Sequence, residues 1–270
     1  MPHADPSSPP LSGATPALHQ VRAGRRGAPL VVLIHAVALD LTYWDRQIGA
    51  LAESFDVIAY DLAGHGASPA PRLPLGFGDA AADLAGVIET AGAGPACVVG
   101  LSVGGMIAQT LALARPDLVR ALCLMDTVST FADAGRAAVR GRAAQVRAGG
   151  MEAIVAPTLE RWFTPGFAAR RPDVLDRVAK TLRAADPHVH AAMWDMISTL
   201  DVAPRLGEIA KPTLVMVGEQ DPTTPVAASE VIARGIPGAR LEIIADASHM
   251  APLEAPDEVN RRLLAFLNGL

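Results

Sequence analysis

Ser102 has the sequence context of a catalytic nucleophile, since it lies within the pentapeptide Gly-Leu-Ser-Val-Gly that spans residues 100–104. An apolar, β-type run over 96–101 precedes it, and an Ala/Leu-rich helical pattern from Met106 to Ala114 follows. A strand that turns at once into a helix needs glycine at this turn, because a Cβ atom there would clash. The sequence therefore predicts that Ser102 is forced outward at a helix N-terminus, whose N–H groups favour a developing oxyanion.

A serine hydroxyl is a poor nucleophile near neutral pH, so Ser102 needs a general base and an acid that orients the base. Asp221 and His249 are candidates for these roles, since each follows a predicted strand, Thr213–Gly218 and Arg240–Ile244 respectively. The carboxyl ends of parallel strands meet at one edge of a sheet. The chain order serine, acid, histidine predicts Ser102, Asp221 and His249 as the catalytic residues.

Other residues compete for the same roles. His35 ends a predicted strand near the same edge and is a second candidate for the base, although its position also suits a residue that fixes a loop. Asp126 directly follows the predicted strand Ala121–Met125 and is the main competitor for the acid, with Glu219 as a further one. The remaining histidines of interest are interpreted as structural or as contacts to a ligand: His65, His188 and His190.

An oxyanion hole requires two preorganised N–H donors. The backbone amide of Val103, the residue after the nucleophile, is predicted to be one of them. The loop after the predicted strand Leu30–His35 supplies the other, and Val37 is the best candidate in it. Only the N–H groups are needed, so the side chains at both positions are loosely constrained.

Composition limits the classes of function. The chain has 270 residues, half of them apolar, which is enough for one large α/β domain or two small ones. Its formal net charge of −5 argues against a nucleic-acid-binding surface. Its two cysteines lie in apolar runs typical of buried free thiols, and no run is long enough to cross a membrane, so we expect a reducing, cytoplasmic location. No motif for a metal or an organic cofactor occurs.

The order of apolar runs predicts the architecture. Six nearly continuous apolar runs alternate with helical patterns, as in a parallel sheet covered on both faces: Leu30–His35, Asp56–Tyr60, Ala96–Leu101, Ala121–Met125, Thr213–Gly218 and Arg240–Ile244. Residues 127–209 contain helical patterns broken by prolines and no strand-like run, which indicates a helical lid inserted after the sixth strand of the sheet. The predicted units are a disordered Pro/Ser-rich tail over 1–19, an α/β core over 20–126 and 210–270, and the lid over 127–209.

With these residues placed, the chain resembles the α/β-hydrolase superfamily from about Gln20 to Leu270. Five pieces carry the resemblance: His35 to Trp44, Tyr60 to Ser68, the Ser102 turn, the Asp221 loop, and His249 with Glu254 and Pro256 behind it. Within that superfamily it is most similar to the 3-oxoadipate enol-lactonases. The more specific of the matching segments is Arg161-Trp162-Phe163-Thr164-Pro165 in the predicted lid.

The resemblance implies a serine hydrolase that opens an enol-lactone or a related lactone or ester through an acyl-enzyme, without a cofactor. It implies a small-molecule substrate and a monomer or small homo-oligomer. An enol-lactone made from a dicarboxylate keeps a free carboxylate, for which the lid arginines Arg161 and Arg183 are the candidate partners. Trp162 and Trp194 are predicted to bind the substrate as well. The alternatives are a general carboxylesterase or perhydrolase of the same fold, and a small-molecule receptor with slow or no turnover.

Overall fold

One sheet organises the part of the chain that the computed structural model describes, residues 17–270. Its strands are β1 (Gln20–Gly24), β2 (Leu30–Ile34), β3 (Asp56–Tyr60), β4 (Ala96–Leu101), β5 (Val119–Met125), β6 (Thr213–Gly218) and β7 (Arg240–Ile244). The spatial order is β1-β3-β2-β4-β5-β6-β7. β1 runs antiparallel to β3, and every other neighbouring pair is parallel. The predicted α/β fold with a mostly parallel sheet is confirmed.

The central strands are apolar at consecutive positions because both faces of the sheet are covered. Successive side chains of a strand point to opposite faces, and every residue of β2, β3, β4 and β6 is buried. The helices that flank the sheet are α1 (Asp45–Leu51), α2 (Phe77–Ala91), α3 (Val103–Ala114), α9 (Val226–Gly235), α10 (Ala251–Glu254) and α11 (Pro256–Leu267). Among them, α2 packs against α3, and α1 packs against α11.

Five α-helices lie between β5 and β6, and we call this part of the chain the helical segment: α4 (Asp133–Gly149), α5 (Glu152–Trp162), α6 (Pro165–Arg170), α7 (Pro172–Ala184) and α8 (Pro187–Ile197). The prediction that it follows the sixth strand is wrong for the described chain, where it follows the fifth. Among the described residues, a single antiparallel edge strand, β1, precedes β2. Five strands, β1 to β5, therefore come before the helical segment. Most of the predicted tail, residues 1–16, lies outside the described residues.

Three prolines of the helical segment start helices, whereas Pro157 lies inside α5. Pro165, Pro172 and Pro187 each stand at the first position of their helix, where the missing N–H leaves no bond unmade. Two of these helices also have side-chain caps: Thr164 accepts from the N–H of residue 167, and Asp186 accepts from the N–H groups of residues 188 and 189. The sequence therefore fixes where α6 and α8 begin.

Several other features of the described chain bear on function. Cys97 and Cys123 are buried free thiols on the neighbouring strands β4 and β5, and burial raises the pKa of Cys97 to about 11. Such thiols are poor nucleophiles near neutral pH. None of the helices within residues 17–270 is long and apolar enough to cross a bilayer. That same range contains no group of three or more His, Cys, Asp or Glu side chains arranged to hold a metal ion.

Candidate active site

Ser102 occupies a sharp turn between β4 and α3. Its backbone has φ 56° and ψ −117°, a conformation that an L-residue rarely adopts, and its N–H donates to the carbonyl of Met125 at 2.9 Å. The turn is closely packed, because a Cβ at Gly100 would come within 2.4 Å of the Gly104 backbone. A Cβ at Gly104 would lie 2.4 Å from the carbonyl oxygen of Ile34. The two glycines therefore permit the strained turn that presents the serine.

The structure brings Ser102, His249 and Asp221 into one hydrogen-bonded chain. Nε2 of His249 lies 3.1 Å from Oγ of Ser102, and Nδ1 of the same ring lies 2.8 Å from Oδ2 of Asp221. The three residues expose 7%, 1% and 4% of their surface respectively. This arrangement lets the imidazole accept the serine proton while the carboxylate holds the other ring nitrogen.

The Asp221 carboxylate is held by more than His249. Its Oδ1 accepts from the N–H groups of Thr223 and Thr224, at 2.7 and 3.1 Å, and its Oδ2 also accepts from the Thr224 hydroxyl. Burial disfavours the ionised form of Asp221, but His249 and the Thr224 hydrogen bonds outweigh it and hold its pKa below the usual value. The group is therefore ionised near neutral pH and can stabilise a positive charge on the imidazole.

Asp126, the main competitor for the acid, is close by but makes a different contact. It is fully buried at the end of β5, with φ 43°, and its Oδ1 accepts from the N–H of Gly218 at 2.7 Å. No hydrogen bond joins it to His249 among the described residues, whereas Asp221 makes one. Burial and the neighbouring Asp221 raise the pKa of Asp126 well above its usual value. Glu219 is exposed and likewise makes no described contact with His249.

His35 fixes a loop. Its Nε2 accepts from the N–H of Leu62 at 2.9 Å, and its Nδ1 lies 2.8 Å from the carbonyl of Ala36. Both ring nitrogens are thus occupied, and burial lowers the pKa of the ring. Of the other histidines, His65 packs against the His35 ring with centroids 5.4 Å apart, and His188 is exposed.

The two amides predicted as oxyanion donors lie on adjacent parts of the sheet edge. Val103 begins α3, and Val37 lies in the loop after β2, which pairs with β4 through Ile34 and Gly100. Neither N–H donates a hydrogen bond to another described residue. Both are therefore free to donate to a further acceptor.

The helical segment places Trp162 over the imidazole. The indole of Trp162 lies 6.0 Å from the His249 ring, centroid to centroid, with the planes inclined by 36°. Arg161, the preceding residue, is half-buried. Arg183, the other predicted partner for a carboxylate, lies elsewhere: it pairs with the exposed Glu152, with 2.6 Å between Nε and Oε2. The structure thus brings Arg161 but not Arg183 near the site.

Sequence reasoning missed Arg142, on α4. Its guanidinium lies 4.7 Å over the ring of Trp194, whose Nε1 donates to Nε2 of His190 at 2.8 Å. Burial and the nearby charge of Arg161 lower the pKa of Arg142 to about 10. Within residues 17–270, neither Arg142 nor Arg161 forms a salt bridge with a carboxylate; Arg161 donates to the Thr158 hydroxyl and experiences the charge of the neighbouring Glu160.

The sequence signal that could have identified Arg142 is its spacing from the buried residues of α4. The buried residues of α4 are Val139, Ala143 and Val146, and Arg142 falls three positions after the first and four before the last. Residues at these separations share one face of a helix. Its position therefore indicated a cation on the packed face of α4 rather than on the solvent side.

Comparison with known proteins identifies the fold family. A family model described as the alpha/beta hydrolase fold matches residues 29–256. The 3-oxoadipate enol-lactonase 2 of Acinetobacter baylyi is 29% identical over 257 residues, which cover 95% of each chain. An enol-lactonase structure from Burkholderia xenovorans matches with a TM-score of 0.89 and 31% identity, over 93% of this chain and 96% of that one.

A thermophilic esterase from Thermogutta terrifontis, solved with malate bound, matches with a TM-score of 0.87 and 29% identity over 93% of each chain. The aligned region covers nearly the whole length of each of these relatives, so the similarity extends to the helical segment as well as the sheet. The family model alone covers well over half of the sequence. The chain belongs to the alpha/beta hydrolase fold family.

Proposed function

We propose that this protein is a serine hydrolase that opens an ester or lactone through a covalent acyl-enzyme. The observation that carries the proposal is the unbroken hydrogen-bonded chain from the Ser102 hydroxyl through His249 to Asp221. The names of its relatives, enol-lactonases and an esterase, support the same reaction class.

In the first half of the reaction, Oγ of Ser102 attacks the carbonyl carbon of the substrate while Nε2 of His249 takes the hydroxyl proton. The carbonyl π electrons move to oxygen and form an oxyanion. The ionised Asp221 stabilises the imidazolium that results. When the oxyanion collapses, the bond to the leaving oxygen breaks, and His249 returns its proton to that oxygen.

The oxyanion is held by the amides of Val37 and Val103. Each has no partner among the described residues, so binding the oxyanion breaks no described hydrogen bond. Removal of one such donor typically costs about 3 kcal/mol of transition-state stabilisation. The strained backbone at Ser102 keeps Oγ at the start of α3, next to one of these donors.

In the second half, a water molecule attacks the acyl-enzyme. His249 accepts a proton from the water and then donates it to Oγ of Ser102, which releases the carboxylic acid and restores the enzyme. If the substrate is an enol-lactone, the enol released in the first half becomes a ketone. That conversion makes ring opening favourable and difficult to reverse.

The substrate class that fits best is an enol-lactone with a free carboxylate, such as 3-oxoadipate enol-lactone. Two half-buried guanidiniums, Arg142 and Arg161, lie near enough for the charge of Arg161 to lower the pKa of Arg142, and neither forms a described salt bridge, although the charge of Glu160 acts on Arg161. Bringing positive charges together in a partly desolvated place is unfavourable. A substrate carboxylate would relieve that repulsion and accept charge-assisted hydrogen bonds. The Thermogutta esterase was solved with malate, itself a dicarboxylate.

The test follows the ultraviolet absorbance of 3-oxoadipate enol-lactone with the wild-type protein and with Ser102→Ala. Rapid loss of absorbance with the wild type and background loss with the variant supports both the nucleophile and the substrate class. Cleavage of a neutral p-nitrophenyl ester alone would assign the same machinery to a different ester. A folded wild-type protein in which an organophosphonate does not label Ser102 would contradict the hydrolase and favour a receptor.

A further inference from the structure

The carboxylate of Glu254 lies between the helical segment and the loop that carries His249. Its Oε1 accepts from the N–H of Ser248 at 2.9 Å, and its Oε2 accepts from the hydroxyl and the N–H of Thr164, at 2.6 and 3.1 Å. Glu254 ends α10, while Thr164 caps α6, ninety residues earlier in the chain. One half-buried side chain therefore joins two distant segments.

Two further contacts join the same segments on either side of His249. The N–H of Met250 donates to the carbonyl of Trp162 at 3.1 Å, and the Ser248 hydroxyl lies 3.3 Å from the carbonyl oxygens of both Arg161 and Gln220, either of which can accept its proton. Ser248 and Met250, the residues before and after His249, thus both contact residues 161–164. The same stretch supplies the indole that packs against the imidazole.

A carboxylate suits this position, and an amide does not. Each oxygen of Glu254 accepts from a backbone N–H, so a glutamine would set its NH₂ group against one of these donors in either orientation. Burial raises the pKa of Glu254, while the bonds from Thr164 and Ser248 and the charge of Arg170 favour the ionised form. Charge-assisted hydrogen bonds of this kind are about twice as strong as neutral ones.

We propose that Glu254 is a positioning residue that fixes the loop of His249 against residues 161–164. It thereby sets the separation of 3.1 Å between Nε2 of His249 and Oγ of Ser102. The inference rests on the proposed function, because it concerns the general base of that reaction. A displacement of about 1 Å in a reacting group can lower a rate by about 100-fold.

The test compares Glu254→Gln, Thr164→Val and the double variant on a short p-nitrophenyl ester, with kcat expressed per active site titrated by an organophosphonate. We expect kcat to fall about 10- to 100-fold in Glu254→Gln, with KM within about threefold of wild type. The double variant is expected to lose little more than Glu254→Gln, since both changes break the same contact. Thr164→Ser, which keeps the hydroxyl, is expected to stay within about threefold of wild type.

Glu258→Gln is the matched control for the loss of one carboxylate, because Glu258 pairs with Arg261 and Arg262 on the exposed side of α11. It is expected to leave kcat unchanged. A wild-type kcat per titrated site in Glu254→Gln overturns the proposal. So does a double variant whose loss equals the product of the single losses.

Hydrogen–deuterium exchange gives a second readout that needs no turnover. In Glu254→Gln, peptides covering 246–252 and 161–167 are expected to exchange faster than in wild type, while a peptide from β4 is unchanged. Unchanged exchange in both peptides overturns the proposal. If the organophosphonate fails to label even the wild type, the proposed function fails on its own, and the exchange data still decide whether Glu254 joins the two segments.

Discussion

Asp221→Asn is expected to lower kcat/KM sharply at neutral pH because the surrounding backbone dictates which way the new amide faces. The N–H groups of Thr223 and Thr224 both point at Oδ1 and require an oxygen there. The NH₂ group must then take the place of Oδ2, opposite Nδ1 of His249. The imidazole can accept from it only as the tautomer with its proton on Nε2, so it can no longer accept the Ser102 proton.

The size of the effect follows from the cost of the opposite amide orientation. Turning the amide around would leave the buried N–H of Thr224 and the partly buried N–H of Thr223 without an acceptor, at about 1–3 kcal/mol each. A total of about 2–6 kcal/mol corresponds to a loss of about 30-fold to about 10⁴-fold. The larger value is of the order seen when the orienting acid of a comparable Ser-His-Asp enzyme is changed to its amide.

The assay is p-nitrophenyl ester hydrolysis at pH 7. Each kcat/KM is divided by the fraction of protein whose Ser102 is labelled by an organophosphonate in a long incubation, which corrects for inactive protein. Asp126→Asn is the matched control, because it changes a buried carboxyl beside the same loop that makes no described bond to His249. That control is expected to lose less than about tenfold. If Asp221→Asn stays within tenfold of wild type while Asp126→Asn loses 1,000-fold or more, the assignment of the acid is refuted.

Three further predictions follow. Gly104→Ala is expected to lower the thermal midpoint, since its Cβ would lie 2.4 Å from the Ile34 carbonyl oxygen; an unchanged melting curve contradicts this. Arg22→Met removes the partner of the buried Asp56 and, because Arg22 itself is partly exposed, is expected to cost about 2 kcal/mol at pH 7 in urea unfolding. Arg22 lowers the pKa of Asp56, so this difference should start to shrink as pH falls below about 4 and be lost only below the lowered pKa of Asp56 in the folded protein. Arg142→Met is expected to raise KM about tenfold for the carboxylated lactone and to spare a neutral ester; equal effects on both refute the anion site.

The buried strands and the residues at their ends were predictable because burial on both faces leaves a strong signal. β4 and β6 are buried throughout, and Ser102 and Asp221 follow them within a few residues. β1 was not predicted, since Gln20–Gly24 lies at the edge of the sheet, largely exposed, and needs no apolar run. An edge strand is specified by the neighbour it pairs with, which a single sequence does not show.

Contacts between distant polar groups were beyond sequence reasoning for a related reason. Arg161 and Arg183 are both arginines near helix ends, and only the packing of α5 against α7 and α4 decides which of them meets Glu152 and which lies near Arg142. The bond from Thr164 to Glu254 crosses ninety residues and follows no periodic pattern. Thr164 and Glu254 both lie in segments that carry the family resemblance, but only the tertiary structure shows that they contact each other.

The separation of Ser102 from His249 along the chain has a consequence for how the enzyme assembles. The two residues are 147 positions apart, and closing a loop of that length costs about 4 kcal/mol of chain entropy beyond a constant. The loop of His249 also gains its described contacts with residues 161–164 only after the helical segment has docked. During refolding from denaturant, helical signal should therefore return before the ability to hydrolyse ester.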